Sequence, residues 1–272
     1  MAVLVLKLQE EGHLHLEDKV SSYLPDLTLY DNRITIQDLL TMRSGIADYM
    51  VGFDTEDYFK EYDRSDLIQR GIADSAFESR GTFLYSNTNI LIMIELIERV
   101  MGQRCEALIQ EKILDPLRLD HTYFASQKAT IRQYIVPGYS YTTAGEYLDF
   151  TDTTTSWALL SCGMYASADD MAAWLGALAH DDFLSEASRS ALYDILPIHE
   201  DLGYGLCIMH KKIHGVPMTV ASGNVPGYST AIAFNESVCI TLLCNLSDYS
   251  GSYRSYAEDL IGILIEQGIH TT

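Results

Sequence analysis

The chain has 272 residues, 47% of them hydrophobic and 21% charged, a composition that builds a folded core and excludes disordered, collagen-like and disulfide-dense chains. Eighteen Lys and Arg stand against 38 Asp and Glu, a formal net charge of −20. Such a chain repels phosphate backbones and anionic lipid, so nucleic acid is excluded as a partner class. Cys105, Cys162, Cys207, Cys239 and Cys244 form no C-x-x-C and flank no metal-spaced histidine pair; they read as scattered thiols.

In chain order, Met1–Leu6 is apolar and stops at Lys7, with no basic leader and no cleavage site, so it is not a signal peptide and localisation stays open. It reads as the last turns of a buried helix ending at Gly12, a helix entered without a cap. Leu14–Pro25 is short and amphipathic. Ile34–Leu40 reads as a short helix with Thr35 and Asp38 at capping-box spacing, followed by a turn at Met42-Arg43-Ser44-Gly45. Residues 54–63 read as surface loop with a helical turn, and Asp66–Ala73 as a helix started by Ser65. Thr88–Met101 is the clearest helix: Ile90, Ile94, Ile97 and Met101 share one face, Glu95, Glu98 and Arg99 turn away, and Gly102 stops it. Cys105–Ile113 reads as a helix ended before Pro116.

Tyrosines around Thr142-Thr143-Ala144-Gly145 suggest a hairpin within 134–150. Ser167-Ala168-Asp169-Asp170 suggests a capping box for a helix through Ala179, and Ser185–Ile195 is helical. Then the pattern turns strand-like: Tyr204–His210 and Ile213–Val220 about a Lys211-Lys212 turn, Tyr228–Phe234 and Val238–Cys244 about Asn235-Glu236-Ser237. Ser252–Gln267 is a final helix, with Ile261, Leu264 and Ile265 facing the sheet. No apolar run reaches the ~18 residues of a membrane span. The expected class is α+β: an antiparallel sheet flanked by helices, built from 1–33 and 201–272, with a mostly helical region at 34–200, in one integrated domain.

Several segments carry a family resemblance together: Leu8-Gln9-Glu10-Glu11-Gly12, Leu16-Glu17-Asp18, Tyr23-Leu24-Pro25, Ile34-Thr35-Ile36, Ser44-Gly45, Phe83-Leu84-Tyr85-Ser86-Asn87, Gly163 to Met171 and Pro226-Gly227-Tyr228-Ser229. In order and spacing they resemble the serine β-lactamase and penicillin-binding-protein superfamily, nearest the branch of class C β-lactamases, D-amino-acid peptidases and related esterases. The resemblance implies a β-lactamase/transpeptidase-like fold and acyl-enzyme chemistry on an amide, lactam or ester, with a small molecule or peptide as substrate and no cofactor or metal.

That family works through S-x-x-K, Y-x-N and a strand motif of the K-T-G type. Tyr85-Ser86-Asn87 matches the second: the resemblance makes Tyr85 a proton relay and Asn87 a holder of substrate amide or carbonyl groups. Ala221-Ser222-Gly223 stands where the third belongs. There Ser222 supplies a hydroxyl, Gly223 lets substrate lie against the strand, and Ala221 replaces the family's cation or imidazole. No lysine of the chain has Ser three residues before it, so S-x-x-K is absent. By the family pattern it belongs before Met1, on the helix that Ala2–Leu8 continues, together with the first strands of the sheet. The expectation is therefore a hydrolase cut within its nucleophile helix and inactive as it stands. The alternative is a pseudoenzyme that binds a ligand or a partner chain through the residual cleft. Oligomeric state stays open.

Overall fold

Helix α1 (Ala2–Glu10) lies at the centre of the molecule: Ala2, Val3, Leu4, Val5, Leu6 and Leu8 are all buried. The computed structural model describes residues 1–248 apart from 30, 76–79, 142–145, 159–162, 181–182 and 237, and then 259, 262–264, 266 and 267. α1 ends where the sequence places its stop. Gly12 takes φ 77°, its N–H reaches the Gln9 carbonyl and the His13 N–H reaches that of Leu8. This crossed pair of bonds is the Schellman arrangement, which satisfies the last carbonyls of a helix.

After α2 (Val20–Tyr23), helix α3 (Ile36–Leu40) carries the full capping box, with Asp38 N–H donating to Thr35 Oγ1 at 3.1 Å and Thr35 N–H to Asp38 Oδ2 at 2.9 Å. Helix α4 (Arg64–Ala73) starts from Asp63 and not Ser65, and α5 (Asn87–Met101) follows. α5 is buried over more than the expected stripe, from Asn87 through Ile94 plus Leu96 and Ile97, because α3, α4 and the 105–109 helix pack around it. One residue in α4 allows this close approach: a Cβ on Gly71 would sit 2.2 Å from Thr88 Oγ1 and 2.8 Å from the Ala47 carbonyl.

The Cys105 helix does not stop before Pro116. It runs α-helical to Ile109, widens into a π-helical turn over Gln110–Leu114 and resumes as Asp115–Leu117. Pro116 sits directly after that widened turn, in the last piece. The helix Ala168–His180 is capped by Ser167, whose Oγ accepts the Asp170 N–H at 3.1 Å. The reciprocal bond of the box is absent, because Asp170 instead binds the His121 N–H and the Thr122 hydroxyl and pins the helix to strand β1 (Thr122–Phe124).

β2 (Tyr139–Tyr141) and β3 (Tyr147–Asp149) form the expected hairpin strands, with the connecting 142–145 outside the described residues. β4 (Met164–Ala166) pairs with β1. Among the described residues the main sheet has six antiparallel strands: β5 (Leu196–His199), β6 (Leu202–Tyr204), β7 (Met209–Ile213), β8 (Val216–Val225), β9 (Tyr228–Phe234) and β10 (Cys239–Cys244), in the order β10-β9-β8-β7-β6-β5. β11 (Leu246–Asp248) pairs parallel with β2 in the three-stranded sheet. The β7–β8 turn is not Lys211-Lys212. Both lysines are strand residues paired with Met218 and Pro217, and the turn is His214-Gly215, at φ 48° and 83°. A two-residue hairpin needs positive φ at such positions, which lysine rarely adopts. Of the expected sheet-facing trio on the final helix, Leu264 packs against the cluster of Ile213, Met218, Ala233 and Ile240. Ile261 and Ile265 lie outside the described residues.

Candidate functional site

Four successive polar side chains open α5, and all four reach into the loop 44–50. Ser86 Oγ donates to the Ala47 carbonyl at 3.0 Å, and Thr88 Oγ1 to the same carbonyl at 2.6 Å. Thr88 Oγ1 also accepts the Tyr49 N–H at 3.0 Å. Asn89, fully buried, accepts the Ser44 hydroxyl at 2.7 Å and donates to the Leu39 carbonyl at 3.1 Å. Asn87 donates through Nδ2 to Asp48 Oδ2 at 2.8 Å. The helix start is thus tied to a turn that Met42 and Gly45 bend with left-handed backbones.

Tyr85 stands one residue before this anchored start, half-exposed, and its hydroxyl donates to Asn87 Oδ1 at 3.4 Å. The structure therefore brings together the two residues singled out by the Y-x-N pattern. Ser86 is the helix N-cap and Asn87 the first helical residue. The segment leading to Tyr85 lies on the loop through Leu84 N–H to the Met42 carbonyl and Gly81 N–H to the Arg43 carbonyl, both at 2.8 Å.

From this anchor a chain of contacts leads to the sheet. The Phe83 ring meets that of Tyr204 on β6 with centroids 5.0 Å apart. Burial holds the Tyr204 phenol well above its ordinary range, and the Tyr85 and Cys207 groups add to the shift. Cys207, at φ 56° in the β6–β7 connection, lies by the Ala2 N–H at the start of α1, and its thiol donates to the Leu40 carbonyl at 3.6 Å. Burial pushes its thiol up to about 11, so it is a poor nucleophile. The Cys207 N–H donates to the Leu40 carbonyl at the end of α3, at 2.9 Å. The first turn of α1, the tip of β6 and Tyr85 thus converge on one region.

Ala221, Ser222 and Gly223 lie on β8, away from the α5 start in the chain. β7 pairs with β8 only over Val216–Val220, so from Ala221 onward one edge of β8 has no β7 residue beside it, while β9 continues to pair on the other side through Val225–Tyr228. Ser222, Gly223 and Asn224 are exposed there, and Ala221 is half-buried. Beyond this edge Tyr228 donates its hydroxyl to the Val136 carbonyl at 2.7 Å and meets Tyr165 edge-to-face; burial pushes its phenol up to about 12. Among the described residues no group of three His, Cys, Asp or Glu is placed to hold a metal ion.

Among the supporting residues, Asp48 and Asn89 have no place in the sequence pattern, while Ser44 and Thr88 stand there only as part of a turn and the start of a helix. The run Ser86-Asn87-Thr88-Asn89 ahead of an apolar helix was the available signal; Asp48, 39 positions upstream of its partner, carried none.

The Beta-lactamase family model matches residues 1–262. Among curated proteins, penicillin-binding protein 4* of Bacillus subtilis (strain 168) is 26% identical over 244 residues, 83% of this chain and 53% of its own length. A teichoic acid D-alanine hydrolase of Staphylococcus aureus (strain MRSA252) is 31% identical over 145 residues, 53% of this chain and 34% of its own length. The chain thus spans about half or less of these curated relatives. Among solved structures, a D-amino acid amidase from Ochrobactrum anthropi SV3 superposes with TM-score 0.86 at 18% identity, covering 97% of this chain and 79% of that one. A D-stereospecific amidohydrolase from a Streptomyces species superposes at 0.82 with 24% identity, covering 90% and 79%. Both likenesses are of fold.

Proposed function

This chain belongs to the Beta-lactamase family, and from that premise we propose that it carries the Tyr85–Asn87 half and the strand-edge half of an acyl-transfer site for an amide, lactam or ester. The observation that supports this most is the Tyr85–Asn87 pair itself, held by four anchored side chains at the start of α5. In this reading Tyr85 moves the proton between nucleophile and leaving group. Asn87 holds the substrate's amide, and the substrate lies against β8 at Ser222 and Gly223. Backbone N–H groups facing the developing oxyanion are typically worth ~3–4 kcal/mol in such sites. The relatives named as a teichoic acid D-alanine hydrolase and a D-amino acid amidase point to a small D-amino acid derivative.

These 272 residues contain no Ser-x-x-Lys, so the nucleophile of the family route is not among them. A β-lactam probe should leave the mass of the purified chain unchanged; a covalent adduct overturns this part of the reading. Ala221, in the place of the family's cation, favours a second reading, in which the cleft binds a ligand without turning it over. Terminal-peptide mass spectrometry on the source cells separates the two. Peptides that run in frame through Met1 and carry Ser-x-x-Lys support the hydrolase. A mature chain that starts at Met1 supports the binding protein.

A further inference from the structure

Asn87 has two amide hydrogens and one carbonyl oxygen to offer. Both hydrogens are directed into the protein: Nδ2 lies 2.8 Å from Asp48 Oδ2 and 3.6 Å from Met50 Sδ, and neither partner is a donor. The Asp48 carboxylate is itself fixed, because its other oxygen accepts the Met50 N–H at 3.0 Å. Turning the Asn87 amide over would set its oxygen against the carboxylate and leave two acceptors face to face. The oxygen therefore points the other way, toward the half-exposed Tyr85 hydroxyl at 3.4 Å. An amide oxygen has two lone pairs, so the Tyr85 contact leaves room for a second donor.

From this geometry we infer that Asp48 is a positioning residue that locks the Asn87 side chain with its oxygen toward the cleft, so that the site selects an N–H donor on the acyl side of the substrate and not a carbonyl. The inference rests on the reading of Tyr85 and Asn87 as the polar pair of the cleft, and it narrows that reading. An acylated D-amino acid derivative has such an N–H; its oxygen analogue, with the nitrogen replaced by an ester oxygen, does not. That analogue sets a lone pair against a lone pair and adds no bulk.

The variant that tests this is Asp48→Asn. Its carbonyl can still accept the Met50 N–H, so the loop keeps its shape. Its amide now presents a donor to Asn87, which is free to turn over. The first readout needs neither turnover nor ligand. With ¹⁵N-labelled asparagine, the Asn87 side-chain signals, assigned by Asn87→Ser, should exchange slowly with water and shift in Asp48→Asn. Asn87 amide protons that exchange like those of an exposed asparagine, or that ignore Asp48→Asn, overturn the lock.

The second readout is selection. N-acetyl-D-alanine methyl ester and O-acetyl-D-lactic acid methyl ester are titrated against the same protein by NMR. The intact chain should favour the first by about tenfold, the value of one hydrogen bond, and Asp48→Asn should reduce that ratio to about twofold or less. An equal ratio in both proteins, or no preference in the intact chain, overturns the selection. If neither compound binds while the Asn87 protons stay protected, the lock stands and the acyl-transfer reading of the cleft falls with the selection.

Discussion

The α5 start and the β8 overhang are the two halves of the candidate site, and they are built on opposite terms. At α5, Ser86, Asn87, Thr88 and Asn89 are buried and every one is bonded to the loop 44–50. At β8, Ser222, Gly223 and Asn224 are exposed, and β7 no longer pairs beside them. The first half has its conformation settled before anything binds. The second keeps backbone groups ready to pair with an extended ligand, as an open strand edge does. In the proposed site, rigidity thus sits at the polar pair and openness at the strand edge.

The sharpest way to break the contrast is Asn89→Ala. It removes two buried hydrogen bonds, from the Ser44 hydroxyl and to the Leu39 carbonyl, and at about 0.5–1.5 kcal/mol for each it should cost about 1–3 kcal/mol of stability. Urea unfolding measures this, and a loss below about 1 kcal/mol would mean that the anchor is not rigid. Gly71→Ala drives a methyl into Thr88 Oγ1 and the Ala47 carbonyl. Overpacking of this kind costs about 1–3 kcal/mol, and it should displace the loop carrying Asp48, seen as shifted Asn87 side-chain signals.

On the open side, Gly223→Ala should change stability by about 0.5 kcal/mol or less, as surface substitutions do. Its Cβ meets only the Thr230 hydroxyl at 2.9 Å, at the end of a side chain that can turn. Ligand affinity should nevertheless fall; unchanged affinity would remove β8 from the site.

Another modest effect is expected at the far end of α5. Glu98 accepts Arg64 and the Cys105 N–H. Burial acts to raise its pKa, but these bonds outweigh it and hold the carboxyl below its ordinary 4.5. A folded-state pKa held down stabilises the protein above the unfolded value and loses that effect as pH falls through the carboxylate range. The stability gap between the intact chain and Glu98→Gln should therefore be about 1 kcal/mol or less at pH 7 and close on acidification; a gap that widens on acidification contradicts the sign.

The same contrast governs what could be read in advance. The caps of α1 and α3, the length of α5 and the hairpin strands β9 and β10 follow from residues within a few positions of one another. Gly12, Thr35 with Asp38, and alternating apolar residues all act locally. The Lys211-Lys212 turn was misplaced because two charges in a row suggest a loop, whereas backbone conformation is decided at His214-Gly215. The π-helical widening before Pro116 has no local signature in the apolar pattern. Tyr85 and Asn87 were visible as a motif. Asp48 and Asn89 were not, since their partners lie 39 and 45 residues away in the chain, and the chemistry of a lone Asp or Asn does not announce a distant contact.

The edge strand β10 has a colloidal consequence. No described strand pairs with the outer side of β10, whose sequence Cys239-Ile240-Thr241-Leu242-Leu243-Cys244 carries no charge and no proline to discourage pairing. Between two such edges the net charge of −20 acts as a repulsion. That repulsion reaches about 30 Å at 0.01 M salt and only about 3 Å at 1 M. Ionic strength is then the control on self-association: light scattering should rise with added salt, and Leu243→Lys, which puts a charge on an exposed position of the edge, should blunt the rise.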